Sequence, residues 1–394
     1  MSSSSKNDFI PYGCQEVTES DIKAVVDILK SQYLTQGPTV QKFEKEISQK
    51  VGAKFAVAVN SATSALHLAC MALSLKEDDW LWTSPISFVA SSNCGLYCGA
   101  KIDFIDIDLK TGLISIEILR EKLLIAKKRG ILPKIIVVVH LTGTSCEMSK
   151  LHQLSKEYGF KIIEDASHAL GGKYNGKYVG SCEYSSICVF SFHPVKIITT
   201  GEGGLLTTND IKIAEKLFDL RSHGIVKDKA RFINSNNSPW SYEQQTLGYN
   251  YRMNDIEAAL GLSQLKRIDF IVEKRNNVLN SYKKEIKNLP VYFLKIPKNV
   301  QSSVHLAVIN IIDNNQELHL SLFEFLKRNN IGVQVHYTPI HLQPFYKNLG
   351  FKMGDFPNAE KYSEKAISLP VFPNLTNESQ QKVIRKLFEF FKNL

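Results

Sequence analysis

Short apolar runs alternate along the first two thirds of the chain with longer stretches in which apolar residues recur at helical spacing. Several of the runs are nearly continuous in Val and Ile, as is typical of strands that are covered on both faces. This alternation predicts a mainly parallel, doubly wound sheet flanked by helices. The predicted strands of this seven-stranded sheet are residues 55–59, 80–83, 102–107, 135–139, 161–164, 187–190 and 205–208.

The pattern changes near residue 268, at the end of a helix predicted over residues 256–268. A chain of 394 residues is long enough for one large and one smaller domain. We therefore predict a large domain over residues 1–268 and a smaller C-terminal α/β domain over residues 269–394. In the smaller domain we expect strands at 291–294, 304–312 and 333–337, and helices at 318–328 and 378–393.

The first helix is predicted from its start signal. Thr18-Glu19-Ser20-Asp21 resembles a capping box, and Ile22, Val25, Val26 and Leu29 follow at helical spacing.

Composition limits the class of protein. Hydrophobic residues make up 44% of the chain and charged residues 22%, which allows a sizeable core and argues against wholesale disorder. The net charge of +9 is scattered along the chain. The one compact basic run, residues 127–129, is better explained by a solvated helix end than by a nucleic-acid site. The sequence therefore predicts no nucleic-acid partner.

Cysteines and the chain start point to the cytoplasm. The seven cysteines have no paired spacing and no accompanying metal ligands, so we expect reduced, mostly buried thiols and no metal site. The N-terminal segment lacks the apolar core of a signal peptide. No stretch approaches the roughly 20 apolar residues that a membrane-spanning helix needs. The sequence predicts a soluble, cytoplasmic protein with no membrane partner.

Polar residues follow the ends of several predicted strands. Asn60, His140, Asp165 and Ser191 all lie at or just after such an end. Ligands of doubly wound sheets bind at the carboxyl edge of the strands. We therefore expect these residues to lie near one site.

Residues 60–64 follow the strand at 55–59 and open a helix predicted over residues 65–73. The free backbone N–H groups and small hydroxyl side chains of such a helix start suit an anion, such as a phosphate. An ordinary helix N-cap explains the same residues. A P-loop is not supported, because the chain has no GxxxxGK[ST] motif.

Asp165 ends a predicted buried strand, where an unpaired carboxylate is costly. A protonated pyridine nitrogen is a suitable partner, and helix capping by Asp165 is an equally good explanation. His168 lies three residues later and reaches the same ligand if the segment turns helical, although a lone histidine is more often structural. Phe88 follows the strand at 80–83 and either stacks on a flat ring or packs in the core.

Lys196 lies in an unusually apolar stretch. Most lysines are solvated, but the neighbours of this one are Phe190, Phe192, Pro194, Val195, Ile197 and Ile198. A lysine that has lost its hydration and its proton can form an imine with pyridoxal 5′-phosphate. Gly201, Gly203 and Gly204 follow and allow the backbone to approach a ligand closely.

In this order, the motifs resemble those of the DegT/DnrJ/EryC1/StrS sugar aminotransferases. The resemblance runs from about residue 10 to the C-terminus. It is carried by Ser-Ala-Thr-Ser-Ala-Leu-His (61–67), Glu-Asp-Ala-Ser-His-Ala-Leu-Gly (164–171), Ser-Phe-His-Pro-Val-Lys (191–196), Gly-Glu-Gly-Gly (201–204), Leu-Gly-Tyr-Asn-Tyr-Arg-Met-Asn-Asp-Ile (247–256) and Val-His-Tyr-Thr-Pro-Ile-His (335–341).

The resemblance implies the fold of fold-type-I aminotransferases that use pyridoxal 5′-phosphate, and a homodimer with shared active sites. It also implies a role for each matching residue. These are Lys196 as the imine lysine, Asp165 as the partner of the pyridine nitrogen, Phe88 stacked on the ring, Ala62, Thr63 and Ser191 at the phosphate, Asn250 at the phosphate of the neighbouring subunit's cofactor, His168 in place of a common glutamine near the phenolic oxygen, and Tyr12, Arg252, His336 and Tyr337 on the substrate side.

The implied reaction moves an amino group from L-glutamate to the C4 ketone of a UDP-linked 4-keto-6-deoxy-N-acetylhexosamine. Within the family, the motifs are most like those of the transaminases of pseudaminic acid biosynthesis. A dTDP- or GDP-linked 3- or 4-keto-6-deoxysugar is the alternative substrate.

Three other classes are weighed against this one. Family dehydratases carry histidine at the position of Lys196, so the lysine argues against a dehydratase. The motifs at 247–256 and 335–341 argue against a fold-type-I enzyme that acts on amino acids alone. Retention of the catalytic positions argues against a non-enzymatic regulator that binds the cofactor.

Overall fold

The structure of the protein, a computed structural model, describes residues 9–234, 238–313 and 315–393. Its longer strands are β1 (Phe55–Val59), β2 (Trp80–Thr83), β3 (Lys101–Phe104), β4 (Ile135–Val139), β5 (Lys161–Asp165), β6 (Ile187–Ser191), β7 (Gly204–Thr208), β8 (Val291–Phe293), β9 (Ala307–Ile311) and β10 (Ala366–Leu369).

The described residues also form α-helices. They are α1 (Glu19–Leu29), α2 (Pro38–Val51), α3 (Ala62–Ala72), α4 (Ala90–Leu96), α5 (Ile116–Arg129), α6 (Met148–Tyr158), α7 (Ile211–Arg221), α8 (Asp255–Leu265), α9 (Ile268–Glu285), α10 (Gln316–Arg328), α11 (Pro344–Asn348), α12 (Pro357–Ser363) and α13 (Asn377–Lys392). Two-residue strands occur at Lys173–Tyr174, Lys177–Tyr178, Ile225–Val226, Glu243–Gln244 and Val300–Gln301.

The large sheet has seven strands in the order β1-β7-β6-β5-β4-β2-β3. All neighbours are parallel except β7, which runs antiparallel to β1 and β6. The predicted mainly parallel, seven-stranded sheet is therefore confirmed. Asp165 at the end of β5 lies between Val139 of β4 and Val189 of β6. The carboxyl ends of these three strands consequently meet at one edge.

Burial explains why the strands of this sheet are so rich in apolar residues. In β1, Val57 and Val59 belong to one apolar core, and Ala56 and Ala58 belong to a second core. Alternate residues of a strand point to opposite faces of its sheet. Because helices cover both faces of the sheet, both sets of alternate residues are buried. The strand is therefore a continuous apolar run.

The C-terminal part forms a second, antiparallel sheet in the order β8-β9-β10. A third apolar core joins this sheet to α9, α10 and α13, with Leu279, Ile309, Leu322 and Leu387 among its members. Helix α9 begins at Ile268. The division into domains at residue 268 stays a prediction.

Three predicted strands need correction. Residues 333–337 form no strand, because Gln334 alone bridges to Ser368 on the edge of β10 and the chain then diverges. The strand predicted over 102–107 ends at Phe104, since the Asp106 carboxylate accepts the first N–H groups of α12. The strand predicted over 304–312 begins at Ala307, after Val304 in the left-handed region (φ 52°).

Helix starts follow their capping residues. Thr18 and Asp21 form the predicted capping box of α1. Helix α3 begins three residues before its predicted start at residue 65, because Ser61 is its N-cap. The helix predicted over 256–268 ends at Leu265, and Ile268 opens the next one. Strand β10 was not predicted from the sequence.

All seven cysteines are free thiols, and five of them are buried, which confirms the prediction of reduced, mostly buried thiols. Across residues 9–234, 238–313 and 315–393, no helix is both long enough and apolar enough to cross a membrane. The same ranges contain no cluster of three or more His, Cys, Asp or Glu side chains suited to a metal ion. The cytoplasmic location stays a prediction.

One buried carboxylate joins two helix starts. Asp255 opens α8 and is fully buried. Its side chain accepts the N–H groups of Gly37 at 2.8 Å and Thr39 at 2.9 Å, at the start of α2. These N–H groups belong to the first turn of a helix and have no carbonyl of that helix to bind.

We therefore expect Asp255→Ala to lower the free energy of unfolding by about 2–4 kcal/mol, because two N–H groups lose their acceptor. Urea unfolding followed by circular dichroism measures the change. The control is Asp269→Ala, which removes the salt bridge between Lys50 and Asp269. The side chain of Asp269 is 71% exposed. That change should cost less than about 1 kcal/mol. Equal losses in the two variants would contradict the interpretation.

Candidate active site

A cavity of about 410 Å³ opens at the carboxyl edge of the large sheet. Ten of the twelve site residues predicted from the sequence line it, although they come from positions as far apart as 12 and 337. The ten are Tyr12, Ala62, Thr63, Phe88, Asp165, His168, Ser191, Lys196, His336 and Tyr337.

Lys196 is held in a closed turn between β6 and β7. The carbonyl of Phe192 accepts the hydroxyl of Thr199 at 2.9 Å and the N–H of Thr200 at 3.0 Å, which closes this turn at its base. The side chain of Lys196 is partly exposed because it faces the cavity. Burial of its ammonium lowers the pKa of Lys196 from 10.5 to about 8, although the charge of Asp165 acts in the opposite direction. A neutral amine is thus available close to neutral pH.

Asp165 is buried at the end of β5 and faces the same cavity. Its Oδ1 accepts both the N–H of Ser167 at 3.1 Å and the hydroxyl of Ser167 at 2.6 Å. Its Oδ2 accepts the hydroxyl of Ser91 at 2.6 Å. No helix begins at this position, so the alternative of helix capping by Asp165 is replaced by a local turn. The turn fixes the carboxylate without hiding it from the cavity.

The start of α3, a candidate anion site, lies in the cavity wall. The hydroxyl of Ser61 accepts the N–H of Ser64 at 3.1 Å, so the ordinary N-cap is present. The N–H groups of Ala62 and Thr63, in the first turn, lie beyond the reach of the helix's own carbonyls. They and the positive end of the helix dipole favour an anion. The N-cap and anion-site explanations are therefore compatible.

Gly204 at the start of β7 makes this arrangement possible. A Cβ atom at this position would lie 2.4 Å from the carbonyl carbon of Ser61 and 2.6 Å from the nitrogen of Ala62. Both contacts are with backbone, which cannot move aside without displacing the start of α3. Glycine is therefore required for the close approach of β7 to the anion site.

Three buried histidines, His168, His305 and His336, line the same cavity as Lys196. The Nε2 of His168 is 3.2 Å from the hydroxyl of Tyr337, and the rings of His168 and His305 are 4.3 Å apart. Burial lowers the pKa of His168 and of His305 well below the usual value. Burial, with the charge of Lys196 second, lowers the pKa of His336 to about 4. The three side chains are therefore neutral at physiological pH.

His305 was not predicted as a site residue. It lies in the irregular segment before β9. The apolar pattern of the sequence around His305 does not indicate that this segment reaches the carboxyl edge of the large sheet. The Nδ1 atoms of His305 and His168 are buried and have no hydrogen-bond partner in the described part of the chain. Such atoms fit a cavity that takes up a polar ligand.

Phe88 does not pack in the core. Its side chain is 59% exposed and lines the cavity at its mouth. The core-packing alternative for this residue is therefore wrong.

Asn250 and Arg252 lie outside the cavity wall. Asn250 is exposed and bridges to Ser222, while Arg252 bridges to Val59 at the end of β1. Among the described residues of the cavity wall there is one lysine and no arginine. A single chain therefore offers little positive charge to a substrate with several negative charges.

Together these groups are typical of a site for covalent amine chemistry. A lysine with a lowered pKa, a buried carboxylate and a helix-start anion site share one cavity. A sequence model of the DegT/DnrJ/EryC1/StrS aminotransferase family matches residues 15–388. The chain belongs to this family, and its fold is that of a fold-type-I aminotransferase.

The chain is also similar to individual members of the family. The chain is 39% identical over 388 residues to a UDP-4-amino-4,6-dideoxy-N-acetyl-beta-L-altrosamine transaminase of Campylobacter jejuni, covering 98% of both chains. Its structure is similar to that of Helicobacter pylori PseC, an aminotransferase involved in the biosynthesis of pseudoaminic acid, with a TM-score of 0.89, 33% identity and coverage of 98% of this chain and 100% of PseC. It is also similar to the PLP form of the putative sugar aminotransferase Spr1654 of Streptococcus pneumoniae, with a TM-score of 0.88, 27% identity and coverage of 98% and 99%.

The lowered pKa of Lys196 makes a prediction about stability. The unfolded chain keeps this proton up to about pH 10.5, whereas the folded chain releases it near pH 8. Between these values the unfolded chain binds more protons, so the ligand-free wild-type protein should become more stable as the pH rises.

Lys196→Met removes this partly desolvated charge. At pH 7 we expect it to raise the free energy of unfolding of the ligand-free protein by about 2–3 kcal/mol, and this gain should vanish near pH 10.5. Urea unfolding at a series of pH values measures it. Lys161→Met, at an exposed lysine at the start of β5, is the matched control and should show no such pH dependence. A destabilised Lys196→Met protein at pH 7 would contradict the assignment of a strained ammonium.

Proposed function

We propose that this aminotransferase uses pyridoxal 5′-phosphate to transfer an amino group from L-glutamate to the C4 ketone of a UDP-linked 4-keto-6-deoxy-N-acetylhexosamine. The reaction belongs to the biosynthesis of pseudaminic acid or a related amino sugar. The observation that carries the proposal is Lys196, whose pKa is lowered to about 8 in a cavity that it shares with Asp165 and the anion site of α3. The Campylobacter relative supports the choice of sugar.

The cavity fits the cofactor in each of its chemical parts. Lys196 would bind the aldehyde carbon, and Asp165 would pair with the ring nitrogen. The N–H groups of Ala62 and Thr63, with Ser191, would hold the phosphate. Phe88 and His168, which also line the cavity, would contact the ring face and the phenolic oxygen.

Bound pyridoxal phosphate supplies an aldehyde that takes up the amino group and a ring that withdraws electrons from the reacting carbon. Lys196 Nζ attacks only as the neutral amine, and it can later accept and return a proton. A pKa of about 8 lies close to neutral pH, where an amine performs both tasks efficiently. Asp165 holds a negative charge at the ring nitrogen. Because the three histidines are neutral, they do not compete for that charge.

We assign Tyr12, His336 and Tyr337 to the substrate side of the cavity. The rings of Tyr12 and His336 are 5.4 Å apart, and the Nδ1 of His336 is 2.8 Å from the hydroxyl of Ser368. This bond anchors the imidazole on β10. Tyr337 joins the same wall through His168. The wall therefore combines the N-terminal segment with residues close to the second sheet.

We also propose a homodimer in which Asn250 binds the phosphate of the partner's cofactor and Arg252 binds the substrate diphosphate. The exposed position of Asn250 and the lack of arginine in the described cavity wall support this. Trp240, Tyr242 and Leu247 are exposed close to Asn250 in the chain. Exposed apolar groups of this size are typical of an interface.

The substrate proposal is tested with purified protein, pyridoxal phosphate, glutamate and a panel of UDP- and dTDP-linked 3-keto and 4-keto sugars. We expect the UDP-linked 4-keto-6-deoxy-N-acetylhexosamine to be aminated fastest, with the product identified by mass spectrometry and NMR. Lys196→Ala should abolish turnover and keep partial cofactor affinity, because the phosphate and nitrogen contacts remain. Full turnover by Lys196→Ala, or no amination of any sugar, would refute the proposal.

The shared site is tested by mixing two inactive variants, Lys196→Ala and Asn250→Asp. In a hybrid dimer one site lacks both residues, and the other site has Lys196 from one chain and Asn250 from its partner. Refolding an equal mixture should restore about a quarter of the wild-type rate, because half of the dimers are hybrids with one intact site each. If Asn250 acted within its own chain, the mixture would stay inactive. Each variant refolded alone is the control.

A further inference from the structure

The carboxylate of Asp165 is held by a chain of serine hydroxyls that the sequence did not predict. Ser91, on α4, is fully buried and lies 2.6 Å from Asp165 Oδ2. The hydroxyls of Ser87 and Ser91 are 2.7 Å apart. On the other carboxylate oxygen, Ser167 donates both its hydroxyl and its backbone N–H.

The direction of these bonds follows from the acceptor. An ionised carboxylate only accepts hydrogen bonds, so Ser91 and Ser167 must donate their protons to Asp165. The oxygen of Ser91 is then free to accept the hydroxyl of Ser87. A carboxylate oxygen accepts about two hydrogen bonds. Oδ1 of Asp165 already accepts two from Ser167, whereas Oδ2 accepts one from Ser91 and has room for a further donor.

Building on the proposed function, we infer that Ser91 and Ser167 are positioning residues that keep Asp165 ionised against the ring nitrogen of the cofactor. Ser91 itself does not line the cavity. It reaches the cavity through the two side chains it bonds to, Asp165 and Ser87, and of these Asp165 is the one placed at the ring nitrogen in the proposed function.

The physical reason lies in the balance between a charged and a neutral pair. Burying a carboxylate and a pyridinium costs desolvation free energy, because both are charged. Transfer of the proton from the nitrogen to the oxygen leaves both groups neutral and removes this cost. Hydrogen bonds donated to the carboxylate stabilise its charged form and oppose this transfer. The ring nitrogen consequently stays protonated and positive.

The test uses the full-length protein loaded with pyridoxal phosphate labelled with ¹⁵N in the ring. The ¹⁵N chemical shift reports whether the nitrogen is protonated, and a fluorescence titration gives the cofactor Kd. Asp165→Asn provides the reference for a nitrogen without its charged partner. Ser92→Ala is the matched control, because Ser92 is equally buried on α4 but bonds to Val89 and Tyr346.

We expect the wild-type and Ser92→Ala proteins to give the signal of a protonated nitrogen. Ser91→Ala should move the signal toward that of Asp165→Asn and raise the cofactor Kd roughly tenfold. Ser167→Ala should give a smaller change of the same sign, because the Ser167 N–H still binds Asp165.

An unchanged ¹⁵N signal in folded Ser91→Ala protein would overturn the inference while leaving the proposed function intact. If Ser91→Ala does not fold, the test uses Ser167→Ala, because Ser167 is partly exposed. An unchanged ¹⁵N signal in Ser167→Ala then overturns the inference. Failure of the wild-type protein to bind pyridoxal phosphate would instead refute the proposed function, and the inference with it.

Discussion

The cost of burying charge at the carboxyl edge of the large sheet shapes the site. The ammonium of Lys196 is desolvated enough to lower its pKa to about 8, and Asp165 lies in the same cavity with hydrogen bonds on both of its oxygens. Neither group is placed for stability. Such groups stay in place when the stability of the surrounding backbone structure exceeds the free-energy cost of desolvating them.

The surrounding backbone does this through the sheet itself. Asp165 ends a central strand whose neighbours are both parallel, and Lys196 lies in a turn that closes between β6 and the antiparallel β7. Gly204 lets β7 approach the start of α3 so closely that the anion site lies at the same edge. The amine, the carboxylate and the anion site are thus positioned by hydrogen-bonded strands and not by flexible loops.

The second sheet and the N-terminal segment complete the cavity with neutral polar groups. His168, His305 and His336 have lowered pKa values, mainly because they are buried. Neutral imidazoles add donors and acceptors without adding charge. The acidic and lysine side chains among the described residues of the cavity wall are Asp165, Glu202 and Lys196, so further cations for the proposed anionic substrate have to come from outside the wall of a single chain.

The sequence by itself determined the mainly parallel, seven-stranded sheet, the capping box at Thr18, and most of the residues that line the cavity. Such features are local: they depend on apolar periodicity, on capping residues and on motifs at strand ends. Only the tertiary structure decided that residues 333–337 form no strand, that His305 joins His336 and Tyr337 in the cavity wall, and that Ser91 binds Asp165. These contacts join residues far apart in the chain, and no local pattern records such a pairing.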